Sequence, residues 1–202
     1  MTDAPESPGL GTPGAESPSF REKGAGAVTR RASGGDARAL AEVAAETFPL
    51  ACPPHTLPEA IDEFVRTNLS VESFTAYLAD PERALFVAEV DGIAAGYTMV
   101  VFGEPKDADA AAAVMSRPTA ELSKVYVREG FHGGGLAAQL VAASVGAARE
   151  RGSVSMWLGV NQENARANRF YEKQGFALVG TKRFLVGDRY EDDYVRALEL
   201  VE

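Results

Sequence analysis

Apolar residues recur along the chain with a period near two in some stretches and near 3.6 in others, and the switches between these periods divide it into elements. Ala27 to Arg31 has the short alternation of a strand. Behind Gly35, Asp36 is placed to cap a helix whose apolar positions Leu40, Val43, Ala44 and Phe48 share one face, and Pro49, Pro53 and Pro54 are expected to stop it. Pro58 and Glu59 open a second helical stretch through Ile61, Phe64 and Val65, and Ser70 or Ser73 can cap another turn or two reaching Leu78. Together these form a helical flap between the first two strands. The run from Ala84 to Val90, then Asp91-Gly92, then Ile93 to Phe102 predicts a β-hairpin, because Asp-Gly between apolar runs suits a type I′ turn. A loop from Glu104 to Pro118 follows, with a helical turn over Ala110–Ala113. Ala120 to Val127 reads as a fourth strand, Gly135 to Arg151 as a helix, Val154 to Val160 as a fifth strand, and Asn164 to Gln174 as a helix that Gly175 ends in left-handed conformation. Phe176 to Val179 and Tyr194 to Leu200 are the expected closing antiparallel strands. The order is that of a mixed α/β (α+β) fold with one sheet and no internal repeat.

Composition changes this picture at one end. Residues 1–26 are rich in Pro, Gly, Ser and Glu, with Leu10 and Phe20 their only large apolar side chains, so a disordered tail is expected there and a single domain over 27–202. The total of 202 residues suits one domain plus an appendage. Charge narrows the function: 20 Lys+Arg against 29 Asp+Glu leaves a net charge of −9, which argues against nucleic acid as partner and favours cationic small molecules. The single cysteine, Cys52, excludes a disulfide framework, and with His55 and His132 it makes no metal-ligand spacing, so no metal is expected. The acidic opening Met1 to Glu6 lacks the basic residues and apolar run of a secretory leader, and the apolar-leaning run Leu136 to Ala148 is too short to span a bilayer. A cytoplasmic protein with no membrane partner, monomeric or homodimeric, is the expectation.

Between the fourth strand and the following helix stands Arg128-Glu129-Gly130-Phe131-His132-Gly133-Gly134-Gly135-Leu136-Ala137-Ala138. Glycines before a helix leave N–H groups uncovered at its positive end, where a phosphate can sit, although such a run also serves as a plain tight turn. Neither the P-loop ending nor the Gly-x-Gly-x-x-Gly spacing is present. About 30 residues on, Asn161-Gln162-Glu163-Asn164-Ala165-Arg166-Ala167-Asn168-Arg169-Phe170-Tyr171 leads through Glu172, Lys173 and Gln174 to Gly175-Phe176. This resembles the GNAT superfamily of N-acetyltransferases, whose fifth strand runs into an Asn-x-x-Ala-x-x-Phe-Tyr helix ending in Gly-Phe. The glycine turn likewise resembles the family's Gln/Arg-x-x-Gly-x-Gly/Ala acyl-CoA loop, at His132, Gly135 and Ala137, with His132 departing from the usual Gln or Arg. The likeness extends from about Ala27 to Leu200, including Gly96-Tyr97 and the strand from Glu121 to Val127. Glu121, Gly187-Asp188 and Asp193 further resemble the bacterial spermidine and spermine acetyltransferase subgroup.

The resemblance implies a GNAT-like single domain: a mostly antiparallel central sheet, flanked by helices, with strands 4 and 5 splayed apart. It implies acetyl-CoA as co-substrate and a small amine, such as a polyamine, as acceptor, with direct transfer in a ternary complex. The pantetheine arm would insert beside Val125, Tyr126 and Val127, the pyrophosphate would lie over His132, Gly133, Gly134, Gly135, Leu136, Ala137 and Ala138, and Asn164 would bond the arm. Val125 and Val127 also suit an ordinary core. Tyr171 is the candidate general acid, since a phenol of pKa ~10 holds its proton at neutral pH and can pass it to a thiolate of pKa ~8.5. Glu121, at the head of the fourth strand, is the candidate base for an ammonium of pKa ~10. Asp192 and Asp193 are the acidic alternative, and also read as a solvated turn. Cys52 stands among prolines with no nucleophile motif around it, His55 reads as a loop residue able to line an acceptor groove, and Trp157 reads as core. A non-catalytic acyl-CoA-binding module that keeps the cleft, and acetylation of protein N-termini or lysines, are the competing functions; retention of Glu121 and Tyr171 favours the enzyme.

Overall fold

In a computed structural model that describes residues 26–186 and 189–200, seven strands form one sheet in the order β1-β2-β3-β4-β5-β7-β6. The strands are β1 (Ala27–Arg31), β2 (Arg83–Val90), β3 (Ile93–Phe102), β4 (Thr119–Val127), β5 (Ser155–Asn161), β6 (Ala177–Val186) and β7 (Arg189–Glu199). Neighbours are antiparallel except β4 and β5, which run parallel. The helices are α1 (Ala37–Ala51), α2 (Pro58–Asn68), α3 (Val71–Ala79), α4 (Ala108–Ala113), α5 (Leu136–Glu150) and α6 (Ala165–Lys173).

Two apolar layers cover the sheet. On one face Leu40, Val43 and Phe48 of α1 and Phe74 of α3 pack against Leu85, Val87, Tyr97 and Met99. On the other, Leu136, Leu140 and Val141 of α5 meet Ala88, Val100, Leu122, Met156 and Leu158. A smaller cluster joins α4 to the sheet through Ala110, Val114, Trp157 and Val195, which gives Trp157 its expected place in a core. Strand alternation is what allows β2 and β3 to supply side chains to both layers.

One irregularity in β4 decides the site. Met99 pairs with Lys124 and Val100 with Leu122, so Ser123 is an extra residue with no partner on β3. Such a bulge shifts every later side chain to the opposite face. Ala120 and Leu122 before it, and Val125 and Val127 after it, therefore all reach the α5 layer. Glu121, Lys124 and Tyr126 are left on the α1 side, where Tyr126 joins the opposite core.

Several local expectations change. Pro49 does not stop α1: the helix carries it one turn from its end and closes at Cys52, before Pro53 and Pro54, because a proline so near the terminus removes only one intrahelical bond. Asp36 precedes α1, yet its carboxylate accepts from the Ser33 N–H at 2.7 Å and from Arg30 at 2.7 and 2.9 Å instead of capping that helix. Ser70, not Ser73, caps α3, its hydroxyl oxygen accepting the Ser73 N–H at 3.2 Å. The hairpin has the expected turn, with Asp91 at φ 53 and Gly92 at φ 77. The closing strands are far longer than their apolar cores, and Asp192 and Asp193 lie inside β7, not in a solvated turn: Asp192 is exposed and Asp193 is 7% exposed. Gly187-Asp188 and the tail over residues 1–25 lie outside the described residues.

Candidate active site

β4 and β5 pair only over Thr119–Ser155, Ala120–Met156 and Glu121–Trp157. Beyond Glu121 the bulge turns β4 away, while β5 continues along β7 as far as the Asn161–Asp193 pair. The parallel strands thus diverge, leaving Leu122 to Val127 without a β5 partner and opening a cleft of about 240 Å³. Glu121, Val125 and Tyr126 line it from β4, Gly159 and Asn161 from β5, Asn164 from the N-cap of α6 and Tyr171 from α6 itself. Seven predicted or weighed residues, counting Asp193 of β7 and Cys52 with Glu121, Val125, Tyr126, Asn164 and Tyr171, thus share one space.

The glycine turn lies elsewhere, past the C-terminal end of β4. A short 3-10 turn over Glu129–Phe131 precedes Gly133 at φ 84 and Gly135 at φ 78, a left-handed conformation that side chains resist. Gly135 is the N-cap of α5 and offers no side-chain cap, so the first N–H groups of the helix stay open to an anion. Leu136 turns its side chain into the core, while Gly133 and Gly135 are exposed. His132 is half-exposed, and its Nε2 donates to the carbonyl oxygen of Val127 at 2.7 Å, tying the turn to the end of β4.

α6 is set by Asn164, whose Oδ1 accepts the Ala167 N–H at 3.0 Å, which commits that oxygen to capping. Seven residues on, Tyr171 packs its ring against Phe170 and Phe176 at 5.3 and 6.0 Å and is 9% exposed. Burial pushes its phenol well above the ordinary range, so it stays protonated through neutral and alkaline pH. Burial also raises the Glu121 carboxyl, with Lys124 and Lys182 pulling the other way. Asp193 is pushed up to about 6, again chiefly by burial, despite Lys182 Nζ at 3.9 Å. Cys52 reaches the cleft wall, but its thiol donates to the Phe48 carbonyl at 3.4 Å and burial pushes it up to about 11, the reverse of an activated nucleophile. His55 holds Glu191 on β7, Nε2 to Oε1 3.0 Å, so it acts through a residue lining the cleft.

Sequence reasoning missed Lys124, Lys182, Glu191 and the aromatic wall of Phe48, Phe64 and Phe184. Lys124 is hidden by the bulge, which no simple alternation reveals. Lys182, Phe184 and Glu191 lie between the two short apolar runs that marked the closing strands, where only a hairpin longer than its hydrophobic core would have placed them. Among the described residues no group of three His, Cys, Asp or Glu side chains could hold a metal ion, and no helix is long and apolar enough to cross a membrane.

Residues 39–176 match the acetyltransferase (GNAT) family. An uncharacterized N-acetyltransferase of Mycobacterium tuberculosis is 47% identical over 166 residues, which cover 82% of this chain and 99% of that protein. Among solved structures, the PaiA N-acetyltransferase from Thermoplasma acidophilum in complex with coenzyme A has a TM-score of 0.67 at 18% identity, covering 86% of this chain and 98% of its own. YncA from Salmonella typhimurium, solved with its cofactor acetyl-CoA, has a TM-score of 0.59 at 23% identity, covering 88% and 96%. Those two likenesses, at 18% and 23% identity, carry the fold alone. The family match and the mycobacterial relative establish that this chain belongs to the acetyltransferase (GNAT) family of N-acetyltransferases.

Proposed function

We propose that the catalytic unit spans residues 27–202 and transfers an acetyl group from acetyl-CoA to the primary amine of a small molecule, directly, with both reactants bound. The observation that carries this reading is the divergence of β4 from β5 after Glu121, which leaves a strand edge unpaired beside a cleft holding the buried Tyr171 phenol and the carboxylates of Glu121, Glu191 and Asp193. The residues present suit the co-substrate. Main-chain groups of Val125, Tyr126 and Val127 would pair with an extended arm, Asn164 would bond it with the part of its carboxamide not used in capping, and the open N–H groups from Gly133 to Ala138 would hold a pyrophosphate. Acetyl-CoA, when bound, supplies an acetyl thioester.

The chain's side chains then manage protons. Glu121 attracts the ammonium and takes its proton, directly or through a water, and the neutral amine forms the new C–N bond as the C–S bond breaks. Tyr171 gives its proton to the departing sulfur and is reprotonated, directly or through a water, by the second proton that the acetylated nitrogen loses in becoming a neutral amide. Most of the acceleration comes from holding the reactants together, for which effective molarities reach ~10⁵–10⁸ M. The decisive experiment is release of free thiol from acetyl-CoA across a panel of polyamines, aminoglycosides, amino acids and peptides. Amine-dependent release is expected; tight cofactor binding with no release for any amine would leave a binding module instead. If Tyr171 is the acid, Tyr171→Phe lowers kcat with little change in cofactor affinity, and near-normal turnover would return it to a packing role.

A further inference from the structure

The cleft is not built for a polycation. Among its described lining residues the carboxylates are Glu121, Glu191 and Asp193, and the cations are Lys124 and Lys182. Glu191 is already bound to His55 at 3.0 Å, and Asp193 faces Lys182 at 3.9 Å. A second ammonium brought close to either lysine would be repelled by it, more strongly in this partly buried space than in water.

Among the described residues the two lysines have ion-pair and ring contacts but no close hydrogen bond to a carboxylate. Lys182 Nζ lies beyond hydrogen-bond reach of Asp193 and stacks over Phe184 at 5.3 Å. Lys124 Nζ rests 6.0 Å from the centre of the Tyr77 ring, and burial lowers it to about 8 although the charge of Glu121 opposes that shift. A partly buried ammonium of this kind gains most from a carboxylate that enters with a ligand. Both lysines act on Glu121, so cationic and anionic groups sit close together in one space. The same cleft carries an aromatic wall, touched by Lys182, in which Phe48 stacks on Phe64 at 4.5 Å and Phe184 meets Phe64 edge-on at 5.8 Å.

We infer that the acceptor carries a carboxylate beside its amine, as an α-amino acid with an apolar side chain does: the amine at Glu121, the carboxylate at Lys124 and Lys182, and the side chain against the Phe48, Phe64 and Phe184 wall. This rests on the amine-acetylation reading above. The acetyl group leaves sulfur for the α-nitrogen; one ammonium proton goes to Glu121 before attack, the sulfur takes a proton from Tyr171, and the second proton lost by the nitrogen restores Tyr171, giving an N-acetylamino acid and free thiol.

The test compares L-phenylalanine and L-leucine with phenethylamine and isopentylamine, which lack only the carboxylate, and with spermidine. Thiol release should show kcat/KM higher for each amino acid than for its decarboxylated partner by about tenfold or more, the worth of one charge-assisted hydrogen bond. Lys124→Met and Lys182→Met should each bring that ratio toward one. Equal or faster turnover of the simple amines or spermidine overturns this inference and leaves amine acetylation standing, whereas no release with any amine overturns the proposed function itself. A second readout needs no turnover: calorimetric titration should show N-acetyl-L-phenylalanine binding more tightly than N-phenethylacetamide, with the difference reduced in Lys124→Met. Equal binding of the two overturns the carboxylate site whatever the activity.

Discussion

At the scale of single residues, Glu121 and Asp193 are both carboxylates raised by burial, and pH separates their roles. If Glu121 is the base, Glu121→Gln should lower kcat/KM for the amine most steeply at lower pH, where the ammonium fraction is largest. The mutant should partly recover as pH rises toward the amine pKa of ~10. The loss should reach ~10²–10⁴-fold if no other group substitutes. Parallel pH–rate profiles for the two proteins, offset by a constant factor, would make Glu121 an electrostatic anchor instead. Asp193 makes a prediction about stability. Its folded value of about 6 lies above the ordinary 3.8, so the unfolded chain releases this proton first and stability falls as pH rises through that interval. Between about pH 4 and pH 7 the wild type should therefore lose on the order of 1–3 kcal/mol relative to Asp193→Asn, as read from urea denaturation at each pH. A difference that does not change with pH would remove the titration from this side chain.

At the scale of elements, the close approach of β3 to β4 and the turn before α5 each depend on glycine. A Cβ at Gly96 would stand 2.7 Å from the Tyr126 carbonyl oxygen and 2.9 Å from Val127 Cγ2, a collision with backbone that cannot relax by turning a side chain. Gly96→Ala should cost about 1–3 kcal/mol in urea denaturation and, by displacing the strand that borders the cleft, weaken cofactor binding as well. Gly135→Val differs: a Cβ there meets nothing within 4 Å, but φ is 78. Its expected effect is a modest stability loss from backbone strain with a large loss of acetyl-CoA affinity by calorimetry, because the branched side chain would occupy the space assigned to the pyrophosphate. Unchanged affinity in the folded variant would move the phosphate site away from this turn.

At the scale of the whole molecule, one sheet carries both cores, with α1 and α3 on one face and α5 on the other. Leu40 and Leu140 are fully buried on opposite faces, and the strands between them are shared. Leu40→Ala and Leu140→Ala should each cost about 2–5 kcal/mol, and each should shift a single cooperative unfolding transition seen alike by fluorescence and circular dichroism. Two separable transitions would mean that the α1–α3 flap unfolds apart from the sheet.

Local signals determined much of this protein from the sequence alone. Proline, Asp-Gly, Asn164 and Gly175 act through backbone conformation and short-range hydrogen bonds, so the start of α2, the β2–β3 turn and both ends of α6 were legible, and Tyr171 came with them. The order of elements also gave the mixed sheet. Tertiary structure decided what depends on partners distant in the chain. The extra residue at Ser123 exists only relative to β3, and it alone turns Lys124 and Tyr126 away from the α5 core and onto the face that bears Glu121. The full length of β6 and β7 is fixed by their mutual hydrogen bonding, not by apolar content, and that pairing carries Lys182, Glu191 and Asp193 into the cleft. A strand's register, unlike its existence, is a property of two segments, so the charges that choose an acceptor could be read only after the sheet had formed.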